Sequence, residues 1–155
     1  MKTCLVGCGG IAAVHGSVLT SDIDTEFVAA ADIKPKKAQT YAENFHTKPY
    51  PSLESMLEAE KPDVLHICTP HYLHVPMAIY SLERNINVFM EKPPAISFDQ
   101  LEELKKAAAK SDAQLGFCYQ NRYNASIRAA KDLIDSGKAG KVLGARAFVT
   151  WCRGA

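Results

Sequence analysis

The sequence predicts an α/β chain built on a doubly wound parallel sheet, and two observations predict it. Short apolar runs that do not alternate, the mark of strands buried on both faces, recur along the chain with helix-like segments between them. The chemically unusual residues then fall just after those runs, where a parallel sheet presents its ligands.

The first run is Cys4-Leu5-Val6, followed by Gly7-Cys8-Gly9-Gly10-Ile11-Ala12 and a helix expected over Ile11 to Leu19. Phe27 to Ala31 reads as the next strand, closed by Asp32. A helix from Pro35 to Phe45 carries proline in its first turn, where a missing N–H does no harm. Tyr50 to Ser52 reads as a turn and Leu53 to Glu60 as a short helix stopped by Lys61-Pro62-Asp63. Val64 to Cys68 is a strand, Tyr72 to Arg84 a helix with Pro76 near its start, and Asn87 to Met90 a strand.

Ser97 then opens a helix to about Lys110, with Gln100 completing an S-x-x-Q capping box. Gln114 to Tyr119 is a further strand, and Ala125 to Ser136 a helix ended by Gly137. The long run from Val142 to Trp151 alternates imperfectly and is expected to be the first strand of a second sheet. The chain is accordingly expected to be cut short. Residues 1–122 would form the ligand-binding domain, and 123–155 the connecting helix and first strand of an α+β substrate domain.

Composition narrows the class. The 155 residues are one domain's worth of chain, 47% apolar, with a net charge of +1 that does not mark a nucleic-acid binder. No apolar run is long enough to span a bilayer and no signal peptide is visible, so a cytoplasmic protein without a membrane partner is expected. The five cysteines are scattered, odd in number and form no C-x-x-C pair, which favours reduced thiols over a disulfide framework. Cys8 alone sits at a helix start, where a thiol pKa falls, although it also fills a variable slot of the glycine motif.

A strand, a glycine-rich turn and a helix opening together bind the pyrophosphate of a dinucleotide. Gly7 allows the tight turn, Gly9 clears space where backbone meets phosphate, and Ala12 is small enough for close helix–strand packing. The helix N-terminus offers unpaired N–H groups and a partial positive charge to the anion. Asp32 stands about 20 residues further on, where the fingerprint places an acid for the ribose hydroxyls. A 2′-phosphate there meets a like charge at ~4 Å, worth up to about 4 kcal/mol at an intermediate dielectric, which favours NAD over NADP. Lys34, Lys36 and Lys37 read either as a solvated helix start or as cover for a 2′-phosphate.

The histidines point to no metal. His71 and His74 are spaced i,i+3 after His66, but no cysteine or carboxylate stands at ligand spacing. His66 is expected to point into a helix layer, and His15 to be a packing or solvent residue. Arg122 reads equally as a phosphate contact or a cap.

Thr69-Pro70-His71-Tyr72-Leu73-His74, Glu91-Lys92-Pro93 and the glycine fingerprint, in this order, resemble the N-terminal half of the Gfo/Idh/MocA family, which includes glucose–fructose oxidoreductase and inositol 2-dehydrogenase. Gly116 to Tyr123 resembles the family's segment before its second domain. The resemblance implies a Rossmann domain, an open-sheet second domain, and hydride transfer between NAD(P) and a sugar-like or polyol substrate. By position, Gly7, Gly9, Gly10, Ile11 and Ala12 would hold the pyrophosphate and Asp32 the ribose. Thr69, Pro70, His71 and His74 would border the cofactor, and Glu91 and Lys92 would reach the nicotinamide and substrate. His71 departs from the asparagine often found after T-P.

Lys92 is the expected catalytic residue of this chain, because an ammonium beside the reacting carbon–oxygen bond stabilises the negative charge that develops during carbonyl reduction. The resemblance also makes Lys92-Pro93 a candidate cis peptide, places the proton-transfer group in the second domain, and implies a homo-oligomer for the whole protein. Two alternatives stand beside the dehydrogenase: a redox-assisted glycosidase that keeps its NAD, and an NAD-sensing regulator without catalysis.

Overall fold

The structure, a computed structural model, describes residues 1–148 and 150. Residues Met1–Cys118 form one compact unit, and a second begins at Tyr119. In the first unit, the strands are β1 (Lys2–Val6), β2 (Glu26–Ala31), β3 (Lys48–Tyr50), β4 (Val64–Ile67), β5 (Asn87–Glu91) and β6 (Leu115–Cys118). The helices between them are α1 (Ala12–Ser21), α2 (Pro35–Phe45), α3 (Leu53–Glu60), α4 (His74–Leu82) and α5 (Phe98–Lys110). All strand pairs are parallel and the order is β3-β2-β1-β4-β5-β6. The order reverses between β1 and β4, and a crevice opens there at the carboxyl ends of the strands.

Alternation along each strand divides the core into two layers. Cys4, Val6, Ala29, Ala31, Leu65, Ile67, Val88 and Met90 face α3, α4 and α5, packing on Met56, Val75, Ala78, Leu82 and Leu104. Leu5 and Ala30 face the other way and pack with Ala12 of α1 and Tyr41 of α2. Tyr41 is buried and donates its hydroxyl to the Ala12 carbonyl at 2.7 Å, which ties α2 to the first turn of α1.

One strand was not expected. Lys48-Pro49-Tyr50 pairs with Ala29–Ala31 as β3, where a sequence reading places only a loop and a turn. Three residues with a central proline carry no periodic signal, and proline is tolerated because β3 lies at the sheet edge. Other elements shift by small amounts. The helix expected from Tyr72 begins as a 3₁₀ turn, His71–Leu73, before α4, and β4 stops at Ile67 rather than Cys68. Ser97 caps α5 by accepting from the Gln100 amide at 3.2 Å. Gln100 answers to the Ile96 amide rather than to Ser97, one residue earlier than a capping box requires.

At the amino ends of the strands, Glu60 is only 6% exposed yet ionised. It accepts from Tyr50 Oη at 2.7 Å and from Lys48 Nζ at 2.9 Å, with Lys2 Nζ 3.0 Å away. The Tyr50 and Lys48 hydrogen bonds, opposed by burial and aided by Lys2, hold its carboxyl at about 2, and Glu60 in turn pushes Tyr50 up to about 12. A carboxylate depressed on folding stabilises the protein fully above its unfolded pKa, and that contribution is lost as pH falls through 4.5 toward about 2. Glu60→Gln is expected to lower stability by about 2 kcal/mol at pH 7, after discounting for partly exposed lysines, and by much less at pH 2. Urea unfolding at the two pH values checks it; an equal loss at both would contradict the ionic origin.

In the second unit a 3₁₀ turn, Gln120–Tyr123, leads into α6 (Ala125–Asp135), and Gly137 closes it with φ +72°. The strand expected from Val142 is not formed over residues 142–148, which join no ladder. A strand exists only with a neighbour to pair its backbone, and no described segment supplies one. Val149 and Trp151, which fall within that run, lie outside the described residues.

Candidate nucleotide-binding and reaction site

The glycine turn is built around Gly7. Its φ is +93°, and a Cβ there would stand 2.7 Å from the Cys68 carbonyl carbon and the Thr69 nitrogen. Backbone therefore touches backbone where β1 and β4 end. Gly9 and Gly10 differ, because a Cβ on either meets nothing within 4 Å. The space above them is open, as a cradle for phosphate must be. Ile11 heads α1 with no side-chain cap and no acid follows in the first turn, while Ala12 N and Val14 N donate to the Gly9 and Ile11 carbonyl oxygens at 3.2 and 3.1 Å.

Asp32 closes β2 and is fixed by two amides. Its Oδ2 accepts from Cys8 N at 3.0 Å and its Oδ1 from Lys34 N at 2.8 Å. A carboxylate has about four acceptor positions, so two remain for ribose hydroxyls. Asp32 lines a cleft of about 250 Å³ with Val6, Gly7, Ala31, Thr69 and Pro70. Lys34, Lys36 and Lys37 line a separate groove with Cys8 and Thr40. Cys8 does not become the acidic thiol that its helix-start position suggests. Burial, and then the Asp32 charge, push it up to about 12.

The T-P-x-x-x-H and E-K-P segments meet through His74. Its ring is fully buried, with Nδ1 2.9 Å from the Pro93 carbonyl oxygen and Nε2 2.9 Å from the Thr69 carbonyl oxygen. One side chain thus spans the loops after β4 and β5. The Lys92-Pro93 peptide is cis, as the resemblance implies. Pro70 and His71 are exposed, and the His71 ring lies edge-on to His74 with centroids 5.6 Å apart. Glu91 is buried and Lys92 is exposed, so the strand end sends one side chain inward and the next outward.

Sequence reasoning missed what holds Glu91. His15 of α1 is buried, and its Nε2 lies 3.0 Å from Glu91 Oε1 while its Nδ1 lies 3.0 Å from His66 Nδ1. The second Glu91 oxygen accepts from the Lys92 amide at 3.2 Å, and Cys118 also hydrogen-bonds this carboxylate. Burial alone would raise Glu91, but His15, Cys118 and the Lys92 amide together keep it below the usual carboxylate value. His66, which does point into the α1 layer, is lowered to about 4 by burial and by His15. His15 is therefore neither bare packing nor a solvent residue. His15, Glu91 and Cys118 place ligand-type atoms within 4.8 Å of one another, from positions too far apart in sequence for spacing to reveal.

The residues present fit a dinucleotide. The glycine cradle is open, the helix start is uncapped, Asp32 has acceptor capacity left, and the buried Thr69 Oγ1 at the cleft has no protein partner. Such an orphan hydroxyl is costly unless a ligand or water completes it.

Comparison with known proteins agrees with this geometry. The family model described as "Oxidoreductase family, NAD-binding Rossmann fold" matches residues 1–119. D-glucoside 3-dehydrogenase of Escherichia coli K12 is 28% identical over 144 residues, covering 92% of this chain and 41% of the relative. The 2,7-anhydro-N-acetylneuraminate hydratase of Mediterraneibacter gnavus is 30% identical over 146 residues, covering 92% of this chain and 38% of the relative. The crystal structure of the WlbA dehydrogenase from Bordetella pertussis with NADH and UDP-GlcNAcA superimposes with a TM-score of 0.86 at 31% identity, covering 90% of this chain and 43% of that one. The chain thus spans about two fifths of the length of the proteins it matches. With its fingerprint, strand order and both strand-end motifs in place over residues 1–119, the chain belongs to the Gfo/Idh/MocA oxidoreductase family and carries its NAD-binding Rossmann domain.

Proposed function

We propose that this chain holds NAD for hydride transfer to or from a sugar-like or cyclic polyol substrate, with Lys92 as the catalytic residue contributed by this domain. The observation that carries the reading is the pairing at the end of β5. Glu91 is buried and ionised, and Lys92 beside it is exposed at the carboxyl end of the sheet, where the crevice takes its ligand. NAD, when bound, supplies the hydride acceptor or, reduced, the donor. The glycine turn and α1 hold the pyrophosphate, Asp32 the ribose, and Thr69, Pro70, His71 and His74 border the nicotinamide half. The Lys92 ammonium donates to the substrate oxygen and stabilises its developing charge. The proton acceptor or donor belongs to a second domain.

NAD is the favoured form. Asp32 lines the nucleotide cleft, whereas the three lysines line a different groove. In calorimetric titration NADH is expected to bind and NADPH to bind at least tenfold more weakly, the ~1.4 kcal/mol equivalent of a fraction of the like-charge penalty. An NADPH preference would transfer the selector role to Lys34, Lys36 and Lys37. The reading includes a homo-oligomeric whole protein and a cytoplasmic location, where buried thiols such as Cys4 and Cys68 stay reduced.

A second reading draws on the similarity to a hydratase, whose named reaction has no net redox change. In that case NAD would return to its starting state in each turnover, and cofactor would stay bound without being consumed.

A further inference from the structure

We propose that His15, backed by His66, is a positioning residue for Lys92. It holds the Glu91 carboxylate in the orientation that lets the second carboxylate oxygen grip the Lys92 amide. The proposal rests on the reading of Lys92 as the group that meets substrate, and it concerns residues outside the cofactor and strand-end motifs.

The geometry is a continuous chain across three elements, with His15 and Glu91 buried and His66 half-buried. His66 sits on β4, on the face turned toward α1, with its ring 5.1 Å from Phe89 of β5. His15 packs on both rings, edge-on to His66 at 5.3 Å, and lies 3.0 Å from both the His66 nitrogen and Glu91. Glu91 ends β5, and from it the hydrogen bond passes to the amide of Lys92. The groups that face Glu91 are His15 from α1, the Lys92 amide, Cys118 from β6 and the Cys68 thiol just after β4; His66 faces His15.

Proton placement follows from the contacts. An ionised Glu91 only accepts, so the proton on His15 Nε2 points at it. The Nδ1–Nδ1 contact needs one further proton between the two rings, on either ring. Both placements leave the Nε2–H on His15 and the grip on Glu91 unchanged. His66 thus fixes which way the His15 ring faces, a role a hydrocarbon of similar shape does not fill. Lys92 springs from backbone that this chain anchors, with the His74 contact to Pro93 on its far side.

Nuclear magnetic resonance on this chain tests the proposal without substrate or turnover, so its outcome is separate from whether Lys92 is catalytic. In His15→Leu the Lys92 amide is expected to lose about tenfold of its exchange protection, the scale of one hydrogen bond, and the Glu91 carboxyl titration to move up. His15→Gln, whose side-chain amide reaches the Nε2 position, should restore most of both. His66→Phe keeps the ring against Phe89 and should reproduce part of the loss. If His15→Leu fails to fold, His66→Phe decides: a Lys92 amide unchanged relative to a matched surface variant overturns the proposal. If His15→Leu folds with Lys92 protection and Glu91 titration unchanged, or if Leu and Gln lose them alike, His15 is a packing residue and the proposal fails.

Discussion

Gly7→Ala is expected to lose roughly 3 kcal/mol or more of stability and all measurable NADH binding. Two costs add at that position. The φ of +93° lies in the region L-residues avoid, and the new methyl would press on the Cys68 and Thr69 backbone at 2.7 Å, where nothing can swing aside. Relaxing either one pushes β1 away from β4 at the crevice proposed for the pyrophosphate. Gly9→Ala is the control that separates binding from folding. Its methyl meets nothing in the protein, so unfolding should change little, while the volume it takes is the volume a phosphate needs. Urea unfolding and NADH calorimetry on both variants read the contrast. Parallel behaviour of the two variants would mean that the turn does not cradle phosphate.

Lys92→Ala should lower kcat of the whole enzyme by about 10²–10³, the range for removing one donor to a developing oxyanion, and leave NADH affinity nearly unchanged. Lys92 is exposed and its backbone, rather than its side chain, is what Glu91 holds, so the variant should fold normally. The split matters more than the magnitude. A loss confined to cofactor affinity would make Lys92 a nucleotide contact, and unchanged turnover in a full-length protein would remove its catalytic role and favour a sensor.

The sheet was legible because a parallel strand buried on both faces must be a short apolar run, and Leu5, Ala30 and Leu65 sit in such runs. The candidate site residues stand out for a related reason: Gly7, Asp32, Thr69 and Glu91 lie at or just beyond the ends of those runs, where a parallel sheet presents its ligands. Strand β3 escaped because edge pairing asks so little of three residues that a proline is allowed among them. The His66–His15–Glu91 chain escaped for a different reason. Glu91 and His15 are 76 positions apart, and only the reversal of strand order between β1 and β4 brings α1 over β5. Cys8, which the sequence offers either as an acidic thiol or as a filler of the glycine motif's variable slot, is no acidic thiol, because burial and then the Asp32 charge raise it against the opposing pull of Lys37. The run from Val142 shows the limit of periodicity, since an apolar pattern specifies a willingness to pair and a ladder also needs a neighbour.

His74 has a consequence for affinity. A flexible site must freeze its loops when ligand arrives, and each immobilised segment weakens the association it serves. Here the His74 ring joins Thr69 to Pro93 through contacts within the protein itself, so the segments after β4 and β5 behave as a single wall. The entropy of ordering them is settled during folding, so a ligand docking against that wall, as proposed for the cofactor, keeps the full free energy of its contacts.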